Sequence, residues 1–243
     1  MMILDATIVA VALPAIKTDL HFSASSLTWV PNAYLIAFGS FLLLGGRLAD
    51  LIGRRRMFLT GIAIFTGASL LCAFAGSEGA LIAARFVQGV GAAVCASAVL
   101  ALIVVEFPNP AERIRAMSAY TFVSVAGASI GLITGGLLTQ ALDWHWIFLI
   151  NLPLGIAAFG LGLVTLARDR GLGVGRDLDV LGSALITVAA MVAIYAIVGS
   201  EEHGLRWALR LGAVAVALLA AFAAVERQPL RRSSRSTSCA CAA

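Results

Sequence analysis

Long apolar runs separated by short polar stretches dominate the chain. Eight such runs occur, at residues 1–16, 28–46, 57–76, 80–105, 117–142, 146–166, 180–199 and 208–225. Seven of the eight are long enough to cross a bilayer as a helix, because a hydrocarbon core about 30 Å thick needs about 20 helical residues. The first run is shorter and already contains Asp5, so we expect it to be the second half of a helix whose first half is absent.

Composition places the chain among membrane proteins. Hydrophobic residues make up 60% of the chain and charged residues only 12%, with a mean hydropathy of +0.97, whereas soluble domains are about 45–50% apolar and about 25% charged. The runs also lack the period-two alternation of membrane barrel strands. We therefore expect an all-α membrane protein.

The positions of the basic residues predict the orientation in the membrane. With a cytoplasmic N-terminus, 13 of the 17 Lys and Arg residues fall in inner loops or in the C-terminal tail, Lys17, Arg206 and Arg210 fall outside, and Arg85 lies within an apolar run. This asymmetry is the positive-inside distribution, and it predicts a multi-pass protein of the cell membrane with both termini in the cytoplasm. Basic residues in short loops form no continuous soluble face, so we expect no nucleic-acid partner.

One inner loop is rich in charge for such an apolar chain. The stretch GGRLADLIGRRR, residues 45–56, combines glycines, an acid and arginines at Gly46, Asp50, Gly53, Arg54 and Arg55. Anchoring the loop in the cytoplasm would explain the arginines, but it requires neither the acid nor the glycines. We expect the glycines to permit a tight turn and Asp50 to stand where the next helix begins, because the positive end of a helix dipole favours a carboxylate.

Two ionisable side chains lie inside the apolar runs. Each such charge costs roughly 2.5–3.5 kcal/mol near the centre of a membrane helix, so Asp5 and Arg85 must face a polar interior. A proton can neutralise the aspartate, whereas the arginine stays charged. Together with Gln88, close to one turn beyond Arg85, these residues form a candidate proton-coupling site. The alternative is a static polar contact between helices.

Small residues form a stripe in the fifth run. Gly127, Gly131 and Gly135 recur every four residues and, with Gly136, make up a candidate helix-packing motif. Glycines let helix backbones approach closely, which also occurs at interfaces that have no part in transport.

The sequence contains few signs of enzyme chemistry. It has no Walker loop, no Gly-x-Ser-x-Gly and no metalloprotease helix, which disfavours an ATP-driven pump and a hydrolase. Cys72 and Cys95 lie in apolar runs, and Cys239 and Cys241 form only a Cys-Ala-Cys in the tail, so we expect neither a disulfide framework nor a zinc site. We therefore predict no catalytic residue, no metal and no cofactor.

Several motifs, taken in order, carry a resemblance to a known family. G-x-L-A-D-x-x-G-R-R-x at 46–56 resembles the signature loop between helices 2 and 3 of the major facilitator superfamily. LDATIVAVALPAI at 4–16 resembles the first-helix motif of its 14-helix, EmrB/QacA-type drug:proton antiporter branch. Further stretches are similar to later motifs of the same branch: LIAARFVQGVGAA at 81–93, FPNPAERIRAMSAY at 107–120, GASIGLITGG at 127–136, WHWIFLINLPLG at 144–155 and LDVLGSAL at 178–185.

The resemblance implies a fold and a function. It implies an N-terminal six-helix bundle over 1–167 and two further helices over 168–228. The family would then continue into another loop and helix, whereas residues 229–243 are polar, basic and low in complexity, so we expect a tail that is disordered or aberrant. The implied activity is proton-coupled efflux of small amphipathic or cationic drug-like compounds. The partners would be protons, the substrate, the lipid bilayer and either a missing C-terminal half or a second copy.

Two alternatives stay open at this point. One is a metabolite or sugar facilitator of the same superfamily, and the other is a truncated fragment that does not transport or serves as an interaction module. For a single bundle we expect Arg85 and the glycine stripe to be turned toward lipid, because the face that would meet the second half is uncovered.

Overall fold

The computed structural model of the protein describes residues 1–167, 180–199 and 204–227. These ranges are almost entirely helical and contain no β-strand. The helices are α1 (Met2–Asp19), α2 (Ala24–Leu27), α3 (Trp29–Ile52), α4 (Arg54–Ala73), α5 (Glu78–Glu106), α6 (Pro110–Ala141), α7 (Trp146–Leu149), α8 (Asn151–Thr165), α9 (Val180–Val198) and α10 (Leu205–Arg227). The predicted all-α fold is confirmed, while the tail predicted at 229–243 lies outside the described residues.

Six stretches of the described chain are long and apolar enough to cross a membrane. They are Ala24–Ile52, Arg54–Ala73, Glu78–Glu106, Pro110–Ala141, Trp146–Thr165 and Arg206–Ala223. The sequence predicted seven, and the further predicted run, residues 180–199, corresponds to α9 (Val180–Val198). Helix α1 has 18 residues but carries Asp5, Lys17 and Asp19, which agrees with its prediction as a short run.

Capping residues fix where several helices begin. The Ser77 side chain accepts a hydrogen bond from the Ala80 amide at the start of α5, and the Asn109 side chain accepts one from the Ala111 amide at the start of α6. Pro110 occupies the first position of α6, where its missing N–H costs nothing. These caps leave α4, α5 and α6 joined by short polar connections.

Glycines set the close packing of α5 against its two main neighbours, α3 and α4. A Cβ added at Gly61 of α4 would come within 2.5 Å of the Cys95 backbone nitrogen on α5, and one at Gly91 of α5 would come equally close to the Phe65 nitrogen on α4. Gly89 lies against the Tyr34 backbone of α3 in the same way. The absent side chains therefore allow backbone contact along the length of α5.

The glycine stripe of α6 packs against α1. A Cβ at Gly131 would lie 2.8 Å from the Leu4 carbonyl oxygen, and one at Gly135 would lie 3.2 Å from the Ile8 Cα. Gly127 is at ordinary contact distance, and Gly136 has nothing within 4 Å. The expectation that these glycines face lipid is wrong, because α1 of the same bundle covers them, and Gly136 lies outside the contact.

Two further helices lie beside the bundle. Helices α9 and α10 pack against each other, and α9 packs against α3. Tyr195 of α9 joins the three, with its ring centroid 5.5 Å from that of Trp29 and 5.3 Å from that of Trp207. On α3, Gly39 gives room for the Ile194 side chain. The pair is thus attached to one side of the bundle by aromatic and small-residue contacts.

Candidate functional site

A group of buried polar side chains lies in the interior of the bundle. It consists of residues from four helices, hereafter the polar cluster: Asp5 (α1), Ser69 (α4), Arg85 and Gln88 (α5) and Asn151 (α8). None of the five is more than 1% exposed. Charged groups are rarely buried this completely unless they are paired, so the contacts within the cluster decide what it can do.

The Asp5 carboxylate accepts hydrogen bonds from three side chains. Its Oδ2 atom accepts from Arg85 Nη1 at 2.7 Å. Its Oδ1 atom accepts from Gln88 Nε2 at 2.9 Å and from Asn151 Nδ2 at 2.6 Å. The single aspartate therefore ties α1 to α5 and to α8.

The Arg85 guanidinium is fixed from several sides. Its Nε donates to the Val30 carbonyl on α3 at 3.3 Å, and its Nη1 donates to Gln88 Oε1 at 2.5 Å. The guanidinium carbon lies 4.4 Å from the centroid of the Tyr34 ring, a cation–π distance. Arg85 thus faces the interior of its own bundle, and the expectation that it faces lipid is wrong because its long side chain reaches Asp5 on α1.

Gln88 is held at both ends of its amide. Besides Asp5, its Nε2 donates to Ser69 Oγ at 2.6 Å, while its Oε1 accepts from Arg85 and from the Cys72 thiol, with a sulfur-to-oxygen distance of 3.7 Å. Exchanging the amide oxygen and nitrogen would place the amide N–H groups against the Arg85 and Cys72 donors. The orientation of Gln88 is therefore determined by its neighbours.

With Asp5 ionised, the cluster is electrically balanced, because one anion and one cation are in contact. Removing one partner of a buried ion pair typically costs about 3–5 kcal/mol, because the other charge is left uncompensated. A proton on Asp5 would have a similar electrostatic effect on Arg85. The contact between α1 and α5 therefore depends on the charges of both side chains.

The predicted site residues Asp5, Arg85 and Gln88 come together in the structure. Sequence reasoning missed Asn151 and Ser69 as their partners. Asn151 lies in the 144–155 motif, where an amide at the start of an apolar helix was an available signal. Ser69 carries no such signal, because a hydroxyl in a membrane helix usually bonds to its own backbone.

The structure corrects the predicted position of Asp50. Helix α3 continues through Ile52 and ends at Gly53, whose φ of 111° is accessible to glycine, and α4 begins at Arg54. Asp50 therefore lies in the last turn of α3, not at the start of a helix. Its carboxylate pairs with Arg54 Nη2 at 3.0 Å on the following helix.

Only some of the glycines and arginines of this loop make turns or contacts with other helices. Gly53 makes the turn. Gly46 lies within α3, and a Cβ added there would be 4.0 Å from its nearest heavy atom, the Ser97 Cβ on α5. The close contact is made by Gly45, where an added Cβ would come within 2.7 Å of the Ser97 hydroxyl oxygen. Arg55 Nη2 donates to the Leu163 carbonyl at 2.8 Å. Because Leu163 is in the last turn of α8, Arg55 satisfies a carbonyl at the negative end of that helix.

A cavity of about 320 Å³ lies at the N-terminal end of α1, and no residue of the polar cluster lines it. Met1, Met2 and Leu4 of the α1 end line it, together with residues of α4, α5, α6 and α8. The described residues contain no group of three or more His, Cys, Asp or Glu side chains that could hold a metal ion.

A multi-pass helical bundle with a balanced ion pair at its centre has the form of a membrane transport protein. Residues 1–177 match the Major Facilitator Superfamily. The chain is 45% identical over 229 residues to the puromycin resistance protein pur8 of Streptomyces alboniger, covering 94% of this chain and 45% of that protein. It is 40% identical over 205 residues to the cephamycin export protein CmcT of Amycolatopsis lactamdurans, covering 84% and 42%.

A third relative is the tetracenomycin C resistance and export protein of Streptomyces glaucescens, 36% identical over 220 residues, covering 90% of this chain and 41% of that protein. The chain therefore belongs to the Major Facilitator Superfamily, a family of transporters and not of enzymes. It spans less than half the length of these relatives. Membership of the superfamily is confirmed, and the assignment to the 14-helix branch stays a prediction.

Proposed function

We propose that the chain forms the proton-coupling bundle of an exporter for small amphipathic or cationic antibiotic-like compounds. The observation that carries the proposal is the buried Asp5–Arg85 pair, braced by Gln88. The named relatives support the export of antibiotics, since they are resistance and export proteins. The pair supports proton coupling, because only the aspartate can change its charge under ordinary conditions.

In this mechanism Asp5 is the proton carrier and Arg85 the fixed charge. When Asp5 is ionised, its carboxylate holds α1 against α5 through the 2.7 Å contact with Arg85. Proton binding removes the anion and weakens that contact, and the helices can then shift relative to each other. Gln88 keeps the guanidinium in place through both states, because its own contacts with Ser69 do not involve the proton.

The glycine stripe and the charged loop take part in the movement of the helices. We assign the glycine stripe, Gly127, Gly131 and Gly135, to the surface along which α1 moves against α6. We assign a gating role on the cytoplasmic side to the charged loop at residues 45–56, in which Asp50, Arg54 and Arg55 make contacts near the ends of α3 and α8 and Gly53 supplies the turn. The roles predicted for Gly46 and Gly136 have weaker support, because a Cβ added at either glycine would meet no heavy atom closer than 4.0 Å.

The proposal includes a place in a larger transporter. Helices α9 and α10 correspond to the two extra helices of the 14-helix branch, after a bundle at 1–167. Both termini of the chain are cytoplasmic and the membrane is the cell membrane. Because facilitators place the substrate between two halves, transport requires a C-terminal half or a second copy.

A chimera tests this function directly. The 229 aligned residues of this chain would replace their counterparts in the puromycin resistance protein, and the product would be expressed in a puromycin-sensitive host. The chimera should confer resistance, and Asp5→Asn should abolish it at equal membrane abundance. Asp143→Asn is the matched control, since Asp143 is exposed.

The same chimera separates export from the facilitator alternative. A proton-coupled exporter loses activity when an uncoupler collapses the pH gradient, whereas a facilitator moves its substrate down a gradient in either case. Resistance that persists in Asp5→Asn, or that is unaffected by an uncoupler, would exclude the proposed mechanism.

A further inference from the structure

Asn151 differs from the other two partners of Asp5 in having a buried side-chain oxygen without a hydrogen-bond partner among the described residues. Its Nδ2 donates to Asp5 Oδ1 at 2.6 Å, but its buried Oδ1 has no hydrogen-bond partner among the described residues. Buried polar atoms without partners are uncommon and call for an explanation. This oxygen lies on a fully buried side chain that already touches the group that would carry the proton.

The other two partners cannot accept a hydrogen bond from a protonated Asp5 carboxyl group. Arg85 has only donors. Gln88 has one acceptor, Oε1, and Arg85 and Cys72 already donate to it. A neutral carboxyl group has one O–H to donate, so among the three side chains that contact Asp5, only Asn151 has an acceptor available.

We propose that the Asn151 amide reverses when Asp5 takes up its proton, so that the Asp5 hydroxyl donates to Asn151 Oδ1. This inference rests on the proposed role of Asp5 as the proton carrier. The proton binds Asp5 Oδ1, the oxygen that now faces Asn151, and the amide turns about its Cβ–Cγ bond. No bond other than the new O–H is formed, and the proton is the one that drives transport.

A second buried polar group without a hydrogen-bond partner lies on the α4 side, close to the turn of α8 that follows Asn151. Gly155 follows Asn151 by one turn of α8, and the Thr66 side chain of α4 fills the space that a Gly155 side chain would occupy. The Thr66 hydroxyl is also buried and has no hydrogen-bond partner within the described chain. Thr66 belongs to the helix that packs against α8, so the side of α8 that carries Asn151 and Gly155 has two polar groups with unused hydrogen-bonding capacity.

The amide reversal affects the contacts of α1 with α5 and with α8 in different ways. In the ionised state Asp5 is bound to both α5 and α8. In the neutral state the ion pair with Arg85 is lost, but the Asp5–Asn151 hydrogen bond is kept with its direction reversed. Proton uptake therefore removes the charge attraction between α1 and α5 while α1 keeps its bond to α8, which makes Asn151 a positioning residue for the coupling step.

Other titratable groups also act on Asp5. Besides Arg85, the charge of Asp5 interacts with Tyr34 from α3, with Cys72 from α4 and with the amino group of Met1 on its own helix. The experiment must therefore observe the asparagine itself, and a pH dependence of transport alone would not suffice.

Isotope-edited infrared spectroscopy of the full chain in lipid vesicles makes this observation. The chain has only three asparagines, Asn32, Asn109 and Asn151. Asn32→Gln together with Asn109→Ser, which keeps a side-chain cap on α6, leaves Asn151 as the single residue that carries a ¹³C side-chain carbonyl. Difference spectra between alkaline and acidic pH then report that carbonyl and the carboxylic acid band together.

The acid band should appear on acidification, vanish in unlabelled Asp5→Asn, and be accompanied by a downward shift of the labelled amide carbonyl as Oδ1 gains a hydrogen bond. An Asp5 acid band with an unchanged Asn151 carbonyl would overturn the amide reversal and leave the proton carrier intact. The absence of any Asp5-dependent acid band would overturn both proposals. Asn151→Leu lacks the labelled carbonyl, so in this variant the acid band should remain without the shift, which assigns the shifted band to Asn151.

Discussion

The contact between α1 and the glycine stripe of α6 gives a prediction with a matched control in the next turn. An alanine at Gly131 places its Cβ 2.8 Å from the Leu4 carbonyl oxygen and against the Thr7 hydroxyl, so the backbones of the two helices must separate. An alanine at Gly136 meets nothing within 4 Å. The two substitutions add the same methyl group to the same helix at positions that differ only in what they face.

The magnitudes follow from packing and helix propensity. Overpacking a close contact typically costs about 1–3 kcal/mol, while alanine stabilises a helix interior by roughly 0.5–1 kcal/mol relative to glycine. Gly131→Ala should therefore destabilise the bundle, because the propensity gain offsets only part of the clash. Gly136→Ala should leave the stability unchanged or raise it.

The assay is equilibrium unfolding in mixed micelles with increasing sodium dodecyl sulfate. The intrinsic fluorescence of the four tryptophans reports the transition, and Trp144 lies near the far end of α1 through its hydrogen bond to Asp19. Equal midpoints for the Gly131→Ala and Gly136→Ala variants would refute the close approach of α1 and α6.

Three further predictions concern the charges and the chain as a unit. In the chimera, Arg85→Ala should abolish proton-coupled export and Arg85→Lys should restore it only in part, since lysine lacks the planar fork; full activity of the alanine variant at equal abundance would contradict this. Asp50→Asn should impair transport but change stability by no more than about 1 kcal/mol, as expected for an exposed ion pair; normal transport would reduce the loop to a topology signal. The 243-residue chain reconstituted alone should insert but not transport, and saturable, uncoupler-sensitive movement of a cationic dye would show that one bundle or its homodimer suffices.

The helices were predictable because the membrane imposes a length. Runs of about 20 apolar residues have few other structures available in a bilayer, and the predicted runs correspond to the helices found. Ends were less certain, as Asp50 shows. A single glycine with positive φ, Gly53, decides that α3 continues past Asp50, and the composition of the loop does not reveal which of its glycines makes the turn.

The site was predictable in its charges but not in its partners. Asp5 and Arg85 could be paired from cost alone, because neither can be left unpaired in an apolar interior. Asn151 is 146 residues away from Asp5 in the chain, and only the packing of α8 brings it there. In the same way the four-residue period identified Gly131 and Gly135, whereas Gly136, one residue further along the helix, points to a different face.

The central claim is that Asp5 carries the proton that drives export, and comparing two modes of transport in one preparation tests it most directly. Proteoliposomes that contain the chimera would be assayed for substrate accumulation driven by a pH gradient and for exchange of labelled against unlabelled substrate at equal pH. Because asparagine resembles the neutral carboxyl group but cannot release a proton, Asp5→Asn should lose gradient-driven accumulation and retain exchange. Gradient-driven accumulation by Asp5→Asn at the level of the unchanged chimera would contradict the claim.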